Sequence, residues 1–140
     1  MKEIIAIIRM NKMNQTKTTL ADNGIASMTA WAVKGRGRGL INKMLLEGAS
    51  AGHEEAINQL GSAPKFYPKR LLSIVVPDAK VKTVVDLIIQ VNQTGSAGDG
   101  KILVLPCLDA VRVRTGESGD EALSEATVIP ANAEAKESAA

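Results

Sequence analysis

The sequence has little cysteine and few aromatic residues, and both shortages restrict the classes of function that the protein can have. It has one cysteine, Cys107, and three aromatic residues among 140. A single cysteine forms no disulfide within the chain, which fits a reducing cytosol. Three aromatics leave almost nothing on which bases can stack, which disfavours a nucleic-acid-binding module. The sequence also shows no acid pair with a histidine, no metal-ligand cluster and no nucleophile beside a base, so we expect no enzyme.

Long apolar runs are also missing. No run approaches the ~20 residues that span a bilayer, so we expect no membrane insertion. The first residues, 1–9, contain a short apolar run without a small-residue cleavage site, which predicts a strand rather than a signal peptide. A hydrophobic content of 45% over 140 residues predicts one globular domain with its own core. We therefore expect a cytoplasmic protein.

The net charge of +2 is unevenly distributed. Residues 117–140 carry six acidic residues and one basic residue, whereas residues 1–116 carry 16 basic and nine acidic residues. A basic body suits nucleic acid or a small anion equally well. The end of the chain is rich in Ala and Glu, so we predict a domain over 1–116 and a largely flexible acidic tail over 117–140.

The apolar pattern predicts two strand-helix-strand units. Short apolar runs predict strands over 3–9, 70–76 and 101–105, and alternation predicts one over 28–33. Helical spacing predicts helices over 11–23 and 82–92. Asn23-Gly24 is a helix stop, Asp78 is a candidate N-cap, and 110–114 suggests a short extra strand. This order predicts an α+β, ferredoxin-like double βαβ sandwich whose uncovered sheet face would be apolar, and such a face usually marks an oligomer interface.

A glycine-rich loop with a lysine occupies residues 94–101. Gly95 to Lys101 satisfies the spacing GxxxxGK, but Ile102 stands where a P-loop needs Ser or Thr. The loop also follows a helix and opens a strand, the reverse of a P-loop, so we reject a P-loop NTPase. Taken alone, the loop favours a plain connection without a ligand.

Two arginines close to this loop in the sequence favour a bound ligand over a plain connection. Arg112-Val113-Arg114 alternates, so both guanidinium groups would lie on one face of a strand. Polyphosphates need backbone N–H groups that approach closely together with fixed cations. The loop and the arginine pair together therefore favour phosphate binding.

The connection between the two units, about 36–68, is too long for an ordinary turn. It opens with alternating Gly and Arg from Gly35 to Gly39. Long loops on rigid scaffolds often carry function, although an insertion without a role stays an alternative.

These pieces together resemble the PII signal-transduction family. The resemblance covers residues 1–35 and 68–121, with Val33-Lys34-Gly35, Val75-Val76-Pro77-Asp78, Gly98-Asp99-Gly100-Lys101 and Arg112-Val113-Arg114-Thr115-Gly116-Glu117 as its most specific parts. It implies a homotrimer, or a mixed assembly with a paralogue, that binds ATP or ADP between subunits and 2-oxoglutarate beside the ATP. The long connection would be the T-loop, which contacts regulated partners.

The resemblance also implies roles for individual residues. The nucleotide-binding set would be Thr29, Gly35, Arg38, Val75, Gly98, Asp99, Gly100, Lys101, Arg112 and Arg114. The 2-oxoglutarate set would be Lys69 with the backbone of Gly37, Gly39, Leu40 and Ile41. No side chain would hold a metal, and Mg²⁺ would arrive with the nucleotide phosphates.

The sequence departs from the usual family pattern in two ways. Gly39 replaces a glutamine that usually helps to hold magnesium and 2-oxoglutarate. The long loop exceeds the common form by about eleven residues and has no counterpart of the uridylylated tyrosine, since Tyr67 lies near its base. These features resemble the nitrogenase-associated subgroup, which implies inhibition of dinitrogenase when fixed nitrogen is plentiful. A conventional PII protein that regulates an ammonium transporter or an assimilation enzyme is the alternative.

Overall fold

The computed structural model describes residues 1–37 and 66–124. Within these ranges, four strands form one antiparallel sheet in the order β2-β3-β1-β4. The strands are β1 (Lys2–Arg9), β2 (Thr29–Gly35), β3 (Tyr67–Val76) and β4 (Gly100–Pro106). The helices are α1 (Met13–Asp22), α2 (Val81–Asn92) and the short α3 (Asp120–Leu123). The order β-α-β-β-α-β in the described residues confirms the predicted α+β class.

One face of the sheet carries the core. Alternate residues of the two central strands are buried against α1 and α2, because successive side chains of a strand point to opposite faces. The buried residues are Ile4, Ala6, Ile8, Leu72, Ile74 and Val76 from the strands, with Met13, Leu20, Val84 and Ile88 from the helices. The apolar spacing of α2 therefore identified its buried side.

The opposite sheet face is uncovered in the single chain, and we call it the open face. Its apolar residues alternate with the core residues of the same strands. Trp31, Leu103 and Leu105 are exposed there, and Ile5 and Leu71 are half-buried. The register pairs Ile5 with Leu103 and Trp31 with Leu71, so these side chains form a continuous patch.

The helix ends agree only partly with the sequence pattern. Helix α1 stops as predicted, because Gly24 adopts φ 82° and the Ile25 amide donates to the Leu20 carbonyl at 2.9 Å. The predicted N-cap is wrong. Asp78 is the first residue of a 3-10 turn, and its carboxylate accepts from Lys2 Nζ at 3.1 Å rather than from a helix amide. Attraction to a basic side chain of β1 thus replaced capping.

The predicted extra strand over 110–114 is also wrong. In the described part of the chain this region makes one isolated bridge, between Val111 and Ser118. The Gly116 amide then donates to the Arg112 carbonyl at 2.7 Å, which closes a turn. Gly116, at φ 75°, lets the backbone reverse where the alternating side chains predicted extension.

Candidate functional site

The glycine-rich loop between α2 and β4 is organised by the carboxylate of Asp99. Asp99 Oδ2 accepts the backbone amides of Thr94 at 2.7 Å and Gly95 at 3.0 Å. Asp99 Oδ1 accepts from the Thr94 hydroxyl and from Arg9 Nη1. These donors, the Thr94 hydroxyl first, hold the pKa of the Asp99 carboxyl well below its usual range. Asp99 therefore fixes the shape of the loop.

Glycine is required at the point where the loop enters β4. Gly100 has φ 121°, and a Cβ built there would lie 2.1 Å from the Ile7 carbonyl oxygen. No side chain fits such a close approach of two backbones. The register pairs Gly100 with Ile8 and Lys101 with Ile7, so the loop joins the sheet without a gap.

Three basic side chains surround this loop on the open face. Lys101 pairs with Ile7, and Arg9 pairs with Lys69, so all three basic residues point away from the core. Lys69 Nζ donates to the Gly98 carbonyl at 2.8 Å, and Arg9 Nη2 donates to the Ala97 carbonyl at 3.1 Å. The loop thus carries a cluster of cations at one end of the sheet.

Two cavities of about 500 Å³ flank the loop. The first lies between α2 and β4, and its lining includes Asn92, Asp99 and Lys101. The second lies where β1 ends and β3 begins, and its lining includes Arg9 and Lys69. Burial lowers the pKa of Lys69 first, the Arg9 guanidinium lowers it further, and Asp99 opposes both. The second cavity is therefore lined by two basic side chains that lie close enough to repel each other.

The second cavity adjoins the base of the long connection. Gly35 pairs with Tyr67 at the last step of the β2–β3 ladder, two positions beyond the Val33–Lys69 pair. The Arg36 guanidinium then lies 5.3 Å from the centre of the Phe66 ring, a cation–π contact across the base. The base of the long connection is therefore close to the Lys69 ammonium.

The arginine pair lies elsewhere. Strand β4 ends at Pro106, which pairs with Lys2, so residues 107–124 begin at the end of the sheet remote from the glycine loop. Arg112 Nη1 donates to Glu117 Oε1 at 3.1 Å, whereas Arg114 is exposed. Neither arginine lines the two cavities. The arginine pair and the glycine loop are therefore close in the sequence but are not brought together in the fold of one chain.

The predicted nucleotide-binding residues consequently form two groups. Gly35 and the residues from Gly98 to Lys101 lie at the loop end of the sheet. Thr29 pairs with Ser73, and Val75 is two residues beyond it, at the other end. Lys69 and Val75 lie six positions apart along β3, which corresponds to about 20 Å. The two groups lie on one face at opposite ends.

Part of the predicted site lies outside the described residues. This applies to Arg38 of the nucleotide-binding set and to Gly39, Leu40 and Ile41 of the 2-oxoglutarate set. Most of the long connection, 38–65, and the tail beyond 124 also lie outside them. Gly37 is described and exposed, next to the base of the connection.

Sequence reasoning assigned no role to Arg9 or Glu117. Arg9 is the last residue of β1, and its two contacts to residues 97 and 99 cross about 90 positions of sequence. Glu117 pairs with Arg112 across a turn that the alternating pattern concealed. A basic residue at a strand end is a common feature, so only the register shows that Arg9 faces the glycine loop.

The described ranges contain neither a cluster of metal-ligating side chains nor a long apolar helix. No group of three or more His, Cys, Asp or Glu residues in 1–37 and 66–124 is placed to hold a metal ion. No helix in the same ranges has the length and apolar character needed to cross a membrane.

Comparison with known proteins gives one consistent family. Residues 1–117 match the family model described as nitrogen regulatory protein P-II. A nitrogen fixation nifHD region GlnB-like protein 2 of Methanobacterium ivanovii is 50% identical over 123 residues, which cover 88% of this chain and 99% of the relative. The protein of the same name from Methanococcus maripaludis is 44% identical over 125 residues, covering 88% of this chain and all of the relative.

A bacterial relative has a more general name. Nitrogen regulatory protein P-II 1 of Escherichia coli is 42% identical over 123 residues, which cover 88% of this chain and 100% of the relative. Proteins of this family are regulatory signalling proteins and not enzymes. The chain belongs to the PII family of nitrogen regulatory proteins, and within it resembles the GlnB-like proteins named for the nifHD region.

Proposed function

We propose that this protein reports nitrogen status by binding ATP or ADP together with 2-oxoglutarate. The observation that carries the proposal is the glycine loop held open by Asp99 beside Lys101. Because Asp99 accepts the Thr94 and Gly95 amides and the Arg9 guanidinium, the loop keeps its shape without a ligand. A preformed loop with a neighbouring cation suits phosphate groups. Mg²⁺ would arrive with those phosphates.

The nucleotide would lie between subunits of a homotrimer, or of a mixed assembly with a paralogue. Two observations support this arrangement. The open face presents Trp31, Leu103 and Leu105 to solvent in a single chain, and patches of this kind usually mark interfaces. The two groups of nucleotide-binding residues lie at opposite ends of that face, so a second chain would bring one chain's loop end to the Thr29, Val75 and Arg114 end of its neighbour.

The acid 2-oxoglutarate would occupy the cavity at the base of the long connection. Its lining supplies the Lys69 ammonium and the Arg9 guanidinium, which suit carboxylates. Lys69 also donates to the Gly98 carbonyl, so a diacid that recruits Lys69 acts directly on the nucleotide loop. A ligand shifts a conformational equilibrium only through its different affinity for the two states, and Lys69 supplies such a difference.

The long connection, 36–68, would contact the regulated partner. Relatives named for the nifHD region support a nitrogenase component as that partner. In this proposal the protein inhibits dinitrogenase when fixed nitrogen is plentiful. The 42% identity to a P-II 1 protein of Escherichia coli supports a second candidate, a regulator of an ammonium transporter or a nitrogen-assimilation enzyme.

Calorimetry of ATP binding tests the nucleotide site. Lys101→Ala and Arg114→Ala should each weaken ATP affinity by about ten- to hundredfold, the effect of losing a hydrogen bond to a charged group. Lys80→Ala is the matched control, because Lys80 is an exposed lysine of the 3-10 turn before α2. Wild-type affinity in both site variants would refute the proposed site.

Affinity purification under anaerobic conditions with ample fixed nitrogen tests the partner. The first candidate predicts recovery of a nitrogenase component that is released by ATP with 2-oxoglutarate. Recovery of a transporter or an assimilation enzyme, with no nitrogenase component, would support the second candidate instead. Lys69→Gln should abolish the response to 2-oxoglutarate while the protein still binds ATP.

A further inference from the structure

The segment after β4 is folded around a single arginine. The Val111–Ser118 bridge brings its two arms together, and the Arg112 amide donates to the Glu117 carbonyl at 2.8 Å. Helix α3 follows immediately and contacts β3. Residues 117–124 therefore form one folded unit with the turn that carries Arg112 and Arg114.

The guanidinium of Arg112 joins the two parts of this unit. Nη1 donates to Glu117 Oε1 at 3.1 Å, and the side chains of Arg112 and Glu117 keep 18% and 31% of their exposure. Nη2 donates to backbone carbonyls at the end of α3, at 2.6 Å to Ser124, 3.2 Å to Ala122 and 3.4 Å to Glu121. The last carbonyls of a helix have few partners within it, so the arginine satisfies those of Ala122 and Ser124, whereas that of Glu121 also accepts the Ser124 amide.

We propose that Glu117 is a positioning residue for the nucleotide site: by holding Arg112 against the end of α3, it sets the turn that presents Arg114. This inference rests on the proposed nucleotide function. It adds a residue without an assigned role and couples residues 120–124 to the bound nucleotide.

The direction in which removal of Glu117 changes ATP affinity distinguishes a positioning role from charge repulsion. A carboxylate close to a polyphosphate repels it, so electrostatics alone predicts tighter binding when Glu117 is removed. Without the Glu117 carboxylate, Arg112 loses one of the contacts that hold the turn, so the exposed Arg114 is presented in a less defined position. Positioning therefore predicts the opposite result, weaker binding when the negative charge is removed.

The same contacts predict a reciprocal effect on the backbone. If ordering of residues 120–124 favours nucleotide binding, the nucleotide must favour their ordering by the same factor. The amides that report this are Ala122, which donates to Gly119, and Ser124, which donates to Glu121. Hydrogen exchange at these two amides should slow when ATP binds.

Calorimetry of ATP binding to three variants tests the proposal. Glu117→Ala should weaken ATP affinity about tenfold, the lower end of the effect of losing a charged hydrogen bond. Glu117→Gln should fall between Glu117→Ala and wild type, because an amide oxygen still accepts from Nη1. Glu121→Ala is the matched control: it removes one negative charge from the same segment, keeps its backbone carbonyl, and should stay within about twofold of wild type.

The outcomes separate this inference from the proposed function. If wild type binds ATP and Glu117→Ala binds equally or more tightly, the positioning role is wrong while the nucleotide function stands. If wild type does not bind ATP, the proposed function fails, and with it the coupling to a nucleotide. Slower exchange at Ala122 and Ser124 on adding ATP to wild type, lost in Glu117→Ala, would support the proposal, and unchanged exchange in wild type would overturn it.

Discussion

The two ends of the sheet hold their charged groups in opposite ways, with the glycine loop at one end and the segment that begins after Pro106 at the other. At the loop end, the acid Asp99 organises the backbone by accepting from Thr94, Gly95 and Arg9. At the other end, the base Arg112 organises the backbone by donating to Glu117 and to the carbonyls that end α3. One end is ordered by an acceptor and the other by a donor.

This contrast shows how both regions keep one cation exposed. An internal carboxylate satisfies the loop amides and the Arg9 guanidinium, while Lys101 stays exposed. An internal arginine satisfies helix carbonyls, while Arg114 stays exposed. At each end, therefore, one charged residue stabilises the backbone and another stays exposed to solvent. The sequence motif contains both kinds of residue and does not distinguish them.

The largest expected effect comes from a substitution that prevents the two ends, each from a different chain, from meeting. Leu103→Glu places a charge on the open face, where Leu103 is 42% exposed in the single chain. The protein should fold, sediment as a single chain, and lose ATP affinity by about a thousandfold, because at least two charged contacts are lost. Ultracentrifugation and calorimetry measure these two properties.

The control for this change is Leu108→Glu. Leu108 is fully exposed and follows β4, so the same substitution there should leave assembly and ATP binding unchanged. A monomeric Leu103→Glu protein with wild-type ATP affinity would show that one end of one chain suffices for binding, and that the two ends do not act together.

A smaller effect is expected on the free energy of unfolding, and it should differ between Gly100 and Gly116, the glycines that shape these two regions. Gly100→Ala meets both an unfavourable φ of 121° and the Ile7 carbonyl oxygen, so the free energy of unfolding should fall by about 3 kcal/mol. Gly116→Ala has open space and only an unfavourable φ of 75°, so we expect a loss of about 1 kcal/mol. Urea unfolding measures both. Equal losses would mean that contact with Ile7 does not limit the loop.

The smallest expected effect is the acid sensitivity of the loop end. Since hydrogen bonds lower the pKa of Asp99 in the folded protein, its contribution to stability is complete above about pH 5 and disappears as the pH falls towards the folded-state value. Asp99→Asn lacks this titration. Its free energy of unfolding should therefore approach that of wild type as the pH is lowered from about 5 to 2.

Urea unfolding at pH 7, 5, 3 and 2 measures this convergence. Asp86→Asn is a suitable control, because Asp86 is an exposed carboxylate that pairs with Lys82 on the surface of α2. A difference between wild type and Asp99→Asn that stays constant with pH would contradict a role of the ionised Asp99 in closing the loop.

Local patterns in the sequence predicted most of the fold. The short apolar runs over 3–9 and 70–76 identified the central strands, and the spacing of Val84 and Ile88 identified the buried side of α2. The Asn23-Gly24 stop also agrees with the structure. The pattern over 110–114 was misleading, since alternation in a short segment does not distinguish a strand from a turn closed by Gly116.

The sequence by itself determined the strands, the two helices and the positions where glycine is needed, because these depend on neighbouring residues and backbone sterics. Tertiary structure decided the grouping of the charged residues. The β1–β3 and β1–β4 registers placed Arg9 and Lys69 beside Gly98, and the path of the chain after Pro106 placed Arg112 at the other end of the sheet. Spacing along the sequence carries no information about strand register. The glycine loop and the arginine pair, which are close in sequence, therefore lie apart, whereas Arg9 and Lys69 lie beside each other.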